Sequence, residues 1–277
     1  MVRTDAIAAA VHDCIVTAAT TLRPDVVAAL ERAAVTETSS RGRAILAQLL
    51  DNACIASDDS VPLCQDTGTV WVRIELGSDE AIGGDLQVAI DGAVASAFRD
   101  HALRMSVAAD ALLDRANTGD NTPAFIDIVS RPGAGARVHV MLKGGGSDNA
   151  SVVAMLDPGA GFEGVRDVVV AAVRAKGSSA CPPLLVGVGV GSTFDRVGSL
   201  AKHALLRDIG PARDKRIAAF EAELLEAVNA TGIGPGGLGG STTALAVHIE
   251  TAPCHIAAMP VAVNLGCCAV RSASVEL

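Results

Sequence analysis

Apolar residues recur at helical spacing through the first sixty positions. Ile7, Val11, Ile15 and Ala18 share one face. Pro24 opens a second helix over Asp25–Ala34, and Ile45–Ile55 makes a third. The period then changes. After the turn at Asp66, Thr67 and Gly68, Val70–Leu76 reads as a strand. Asp85–Leu113 reads as a long helix, or as two helices broken near Arg104–Ser106. The block Asn117–Pro123 is turn chemistry throughout, and strands fit Ala124–Val129 and Arg137–Leu142. Gly164–Lys176 is a helix, and Leu184–Val190 is a continuous apolar run of the buried-strand type. Helices are expected at Ser199–Arg207 and Ala212–Ala230, then strands at Ala244–Ile249 and Ile256–Leu265. No repeat, linker or shift of composition marks a boundary. The pattern predicts an α/β (or α+β) class: a helical N-terminal portion, then a mixed sheet with flanking helices, as one domain over residues 1–277.

Composition narrows the chemistry. The 277 residues include one Trp, five Phe and no Tyr, so the core must be aliphatic. Few aromatic faces and a net charge of −9 argue against nucleic-acid binding, which draws on stacking and on basic surfaces. The first helix is amphipathic and lacks the layout of a signal peptide. No run reaches about 18 uninterrupted apolar residues, so no membrane span is expected. Seven cysteines in a loop-poor chain favour free or metal-binding thiols in a reducing, cytoplasmic setting over a disulfide framework. The negative charge would repel a dianion at long range. A dicarboxylate site would therefore need local cations and backbone amides.

Three cysteines sit in turn-rich settings beside aliphatic runs: Cys64 in VPLCQDTGT, Cys181 in SSACPPLLVGVGVG and Cys267 in PVAVNLGCCAVR. They are 117 and 86 residues apart, too far for a local zinc knuckle. Three thiolates from three loops suit an iron–sulfur cluster with one iron left open, and an open metal acts as a Lewis acid. The bland alternative is buried packing, common for free Cys. It is weakened at Cys64 by the polar Gln65, Asp66 and Thr67 that follow. Four glycine-rich stretches, PGAGA, KGGGSDN, GVGVGS and GIGPGGLGG, offer backbone N–H groups of the kind that bind anions. The G-x-G-x-G spacing of GVGVGS departs from the dinucleotide fingerprint and speaks against that use.

From about Arg41 onward the chain resembles the class I, iron–sulfur-dependent fumarate hydratases and the related L(+)-tartrate dehydratases. The resemblance rests on PLCQDTGT, LRMSVAADAL, RANTGDNTPA, KGGGSDNAS, the segment from CPPLLVGVGVGSTF to HALLR, and the segment from GIGPGGLGGST to LGCCAVR. It implies a [4Fe–4S] cluster on Cys64, Cys181 and Cys267, with the unligated iron binding substrate. The family often has Cys-His at the last site. Here Cys268 replaces the His, which leaves Cys267 as ligand and Cys268 as a stand-in. Cys14, Cys54 and Cys254 match no ligand position and are expected to be packing residues.

The resemblance also assigns roles. Gln65 and Asp66 would face the substrate, with Asp66 moving the C3 proton. Arg104 would clamp a carboxylate bidentately. Gly144, Gly145 and Gly146 would offer amides to a carboxylate, Lys143 would add charge, and His255 would stand near the substrate. Single-chain members carry a second domain supplying further basic groups. This chain stops ten residues after Cys267 and so reads as an α subunit that works with a separate β subunit, as an α–α homodimer within a heterotetramer. The implied activity is reversible hydration of fumarate to malate. L(+)-tartrate dehydration is the alternative, and a methyl-substituted four-carbon dicarboxylate is a further one. From a different class stands a non-enzymatic iron–sulfur redox protein, disfavoured by three ligand positions rather than four.

Overall fold

The computed structural model describes residues 1–277, and the alternation of helices and strands follows the α/β expectation. The elements in order are β1 (Val2–Arg3), α1 (Thr4–Thr20), α2 (Pro24–Thr36), α3 (Ser40–Asp58), β2 (Thr69–Gly77), β3 (Ile82–Gly83) and α4 (Leu86–Asp100). There follow β4 (Phe125–Arg131), β5 (Ala136–Lys143), α5 (Gly145–Asp148), β6 (Val152–Leu156) and α6 (Gly161–Lys176). The chain ends with β7 (Leu184–Ser192), α7 (Val197–Ala204), α8 (Lys215–Asn229), β8 (Ala244–Cys254), β9 (Met259–Gly266) and β10 (Arg271–Glu276). They partition into two compact units. One holds residues 1–23, 53–145 and 271–277, and the other holds 24–52 and 146–270.

The first unit is built on the sheet β10-β5-β2-β4. Strand β2 runs parallel to β4 and antiparallel to β5, and β5 pairs antiparallel with β10. Alternate residues of β2 (Val70, Val72, Ile74) and of β5 (Val138, Val140, Leu142) join Ile7, Val11, Ile15 and Ala18 of α1 and Ile90, Val94 and Phe98 of α4 in one core. The predicted stripe of α1 is thus the buried one. The segment Thr4–Thr36 reaches a mean hydropathy of 1.2. It is nevertheless two helices separated at Thr21–Arg23, and each buries an apolar face.

The helix expected to reach Leu113 stops at Asp100 instead. Leu103 N–H donates to the Phe98 carbonyl at 2.9 Å, and Ala102 N–H reaches the Arg99 carbonyl at 3.4 Å, with Ala102 at φ +50°. This is a Schellman stop with alanine where glycine is usual, so the sequence carries no stop signal. Residues 101–124 are irregular, and this chain segment carries Arg104 and Ser106.

The second unit is built on the sheet β6-β9-β7-β8, with β7 parallel to β8 and antiparallel to β9. Leu184, Val186 and Val188 of β7 point into a core with Val169 and Val173 of α6 and Leu224 and Val228 of α8. The opposite face of β7 lies against α7, and the glycines of GVGVG belong to it. A Cβ on Gly187 would stand 2.2 Å from the Ala201 carbonyl oxygen, and one on Gly189 would stand 2.6 Å from that of Val197. This glycine run is a seat for a helix backbone. Helix α7 begins at Val197 and α8 at Lys215, later than the periodicity placed the second. Strand β10 was not anticipated.

Candidate functional site

The candidate site in the first unit is made where β2, β5 and β10 end or begin together. Thr69 pairs with Lys143, so the turn before β2 and the glycine run after β5 emerge side by side. Gly68, at φ +85°, is obligatory there: a Cβ would fall 2.2 Å from the Lys143 carbonyl oxygen. The adjacent Asp66 is held through both carboxylate oxygens. Its Oδ2 accepts from the Gly145 N–H at 2.9 Å, and its Oδ1 accepts from the Ser106 hydroxyl at 3.3 Å. A side chain at Gly144 would be tight, because a Cβ would stand 3.2 Å from both Asp66 Oδ2 and Arg271 Nη2.

The 101–124 segment is stitched onto this turn. Arg104 N–H donates to Thr67 Oγ1 at 3.1 Å. The fully buried Asn121 accepts from Ser106 N–H at 2.7 Å and donates to the Gly68 carbonyl at 3.1 Å. A core amide that cross-links two loops fixes their separation, because leaving either group unpaired would be costly. Arg104 is exposed in this stretch, not on a helix, and Gln65 is exposed beside it. Gln65 Oε1 lies 3.5 Å from the half-buried Cys64 Sγ. Lys143 is buried at the end of β5, with 3% of its surface exposed. The structure therefore brings Gln65, Asp66, Arg104, Gly144 and Gly145 together at one end of this sheet. Ser106, Asn121 and Arg271 belong with them but went unnoticed in the sequence. All three lie inside the motifs that carry the resemblance, but none is marked there by a neighbouring residue type that points to the site.

The second unit carries Cys181, Cys267, Gly146 and His255. Cys181 ends a short 3-10 turn in the left-handed region, at φ +56°, and is exposed. Cys268 N–H donates to the Cys181 carbonyl at 3.0 Å, which sets the Cys181 and Cys267 loops against each other. Cys267 and Cys268 are both half-buried. Gly146 lies close to the Ser179 carbonyl, 2.9 Å from where a Cβ would be. His255 occupies the exposed turn between β8 and β9, where its Nδ1 accepts from Ala257 N–H at 3.1 Å.

The remaining cysteines divide differently from expectation. Cys14 packs in the core, and burial, helped by Asp13, pushes its thiol up to about 11. Cys54 and Cys254 are exposed, not packed; Cys254 Sγ caps the hairpin by donating to the Ala258 carbonyl at 3.3 Å. The thiols expected to bind metal are accessible in part or in full, and two of them are on loops joined by a backbone hydrogen bond. Thiolates are the donors an iron–sulfur cluster takes, but the structure gathers no group of three or more His, Cys, Asp or Glu side chains that could hold a metal ion.

The glycine stretch Gly232–Gly240 runs into Ser241 and Thr242, whose amides hold a carboxylate of the protein's own. Glu37, 2% exposed, accepts from Ser39 and Thr242 N–H at 2.8 Å and from Ser241 N–H at 2.9 Å. Burial pushes its carboxyl up, but these donors outweigh it and hold the group at about 2. This glycine loop is latched by the protein's own carboxylate.

An α/β scaffold that pins one carboxylate between two loops, beside a glycine run, and offers accessible thiols elsewhere has the parts of a lyase. The chain belongs to the fumarate hydratase family: the family model described as fumarate hydratase (Fumerase) matches residues 8–276. It is 40% identical over 263 residues to a Methanocaldococcus jannaschii protein provisionally named L(+)-tartrate dehydratase subunit alpha, covering 92% of each chain. It is 36% identical over 258 residues to the L(+)-tartrate dehydratase subunit alpha of Escherichia coli strain K12, covering 91% of this chain and 84% of that one.

Proposed function

We propose that residues 1–277 act as one α subunit of a cytoplasmic hydro-lyase that adds or removes water across the C2–C3 bond of a four-carbon dicarboxylate. The observation that carries this reading is the two-sided grip on Asp66 beside an amide-bearing glycine run, in a chain of this family. L(+)-tartrate is favoured by the names of the relatives, and fumarate/malate by the family model. Asp66 takes or returns the C3 proton through a carboxylate oxygen, its rotamer set by Gly145 and Ser106. Arg104 binds substrate carboxylate beside the Gly144–Gly146 run, Gln65 orients it, and Lys143 and His255 add charge and hydrogen bonding. Cys64, Cys181 and Cys267 would hold a [4Fe–4S] cluster. When bound, it supplies a Lewis acid for the hydroxyl that leaves. A β subunit completes the enzyme as an α–α homodimer within a heterotetramer.

The test is anaerobic reconstitution of the α and β chains, with turnover measured on L(+)-tartrate, malate and fumarate and iron counted per α chain. About four irons and turnover of one of these acids are expected. Single Cys→Ser variants at 64, 181 and 267 should lose the iron, while Cys14→Ser and Cys54→Ser should keep it. An intact cluster in Cys181→Ser would overturn the ligand assignment.

A further inference from the structure

Arg271 opens β10 and pairs in register with Leu142, two residues before Gly144. Its residue surface is 3% exposed, so a full positive charge lies inside the protein. Its hydrogen-bond partner is a peptide carbonyl and not a carboxylate: Nη1 donates to the Asp66 carbonyl at 2.5 Å. Its Nε is buried without a partner. Nη2 faces Gly144: a Cβ there would stand 3.2 Å from it and 3.2 Å from Asp66 Oδ2. A buried guanidinium satisfied so sparingly is expensive to keep and is not what core packing would select. A planar fork is, however, suited to holding two chain segments at a fixed spacing.

We propose that Arg271 is a positioning residue for the reaction: it locks the Asp66 backbone to the Gly144–Gly145 corner, so that the Asp66 carboxylate meets the substrate in one orientation. The guanidinium holds the backbone of Asp66 through its carbonyl. Gly145 N–H and the Ser106 hydroxyl hold its side chain. The inference rests on the reading of Asp66 as the proton-handling group. Because Arg271 acts through Asp66 and does not bind substrate, its loss should appear in the chemical step.

The experiment compares Arg271→Met and Arg271→Lys with the parent in the reconstituted α–β enzyme. Two readouts are taken: kcat and KM on the active dicarboxylate, and amide hydrogen exchange of Gly145 against amides within α1. Arg271→Met is expected to lower kcat roughly 30-fold or more, with KM within about threefold, as expected for an interaction that matters only in the transition state. Gly145 exchange should quicken about tenfold while α1 stays unchanged, as its bond to Asp66 loosens. Arg271→Lys keeps the charge without the fork, so it should recover part of kcat. If the methionine variant does not fold, the lysine variant is judged by the same two readouts. Parent-like kcat and Gly145 exchange in a folded variant would overturn the proposal. So would a defect confined to KM, which would make Arg271 a substrate ligand. If the parent turns over no four-carbon dicarboxylate, the functional reading fails, and Gly145 exchange alone decides the role of Arg271.

Discussion

Asp66 is the residue on which the chemistry turns, and its surroundings make it testable. Asparagine has the same shape and can still accept from Gly145 N–H with its oxygen while donating to Ser106 Oγ with its amide nitrogen. Asp66→Asn should therefore keep the loop and the iron and lose only basicity. Turnover should fall by roughly 10²–10⁴, the usual contribution of a general base or acid. Steady-state kinetics with iron analysis on the same preparation checks this; undiminished turnover would move the proton to another group. At this scale the sequence was most informative where residue type and loop chemistry coincide, as in Cys64-Gln65-Asp66 and the glycine run. It was silent on Ser106, Asn121 and Arg271. Their roles come from pairings across 40, 53 and 205 residues, and no local pattern encodes such distances.

The elements place these residues through two devices that the hydrophobic pattern does not display. The first is the stop of α4. Ala102 takes a left-handed conformation that costs an L-residue roughly 1–2 kcal/mol, so Ala102→Gly should stabilise the protein by about 1 kcal/mol after the entropy of glycine is counted. Denaturant unfolding would show it; no gain would mean the strain is relieved elsewhere. The helix was over-extended in the sequence because alanine, the best helix former, stands at the position that ends it. The second device is the Glu37 latch. Its carboxyl sits at about 2 in the fold against an ordinary value of 4.5, so the folded form holds the proton less tightly. Its contribution is full above about pH 4.5 and is lost as pH falls toward 2. Glu37→Gln should lower stability at neutral pH by about 1–3 kcal/mol, the loss expected when hydrogen bonds to a charged group go. It should also flatten the decline between pH 4.5 and 2. Urea midpoints across that range measure both; parallel curves would remove Glu37 as the cause. Of the four glycine stretches, the sequence set KGGGSDN apart by its flanking Lys, Ser, Asp and Asn and read PGAGA as a turn. PGAGA joins β4 to β5, and the other three divide into a helix seat, a carboxylate-latched loop and a site corner only when their neighbours are known.

On the scale of the whole molecule the deciding quantity is charge. A four-carbon dicarboxylate approaches a chain of net charge −9, and long-range attraction cannot help it. Of the cations expected to receive it, Arg104 is exposed, whereas Lys143 is 3% exposed and built into the fold. One glycine run and a single accessible guanidinium are few partners for two carboxylates, since each charge must be matched locally for tight binding. The relatives that align over most of this chain are themselves named as alpha subunits. The α chain alone should therefore fold, each unit having its own aliphatic core, and should be catalytically silent. Titrating separately made β subunit into iron-loaded α subunit should bring turnover up to a plateau at one β per α. The plateau should be reached at lower concentration in low salt if β supplies the missing cations. Appreciable turnover by the α chain without β would show that the groups already on this chain suffice. It would also remove the charge argument for a two-subunit site.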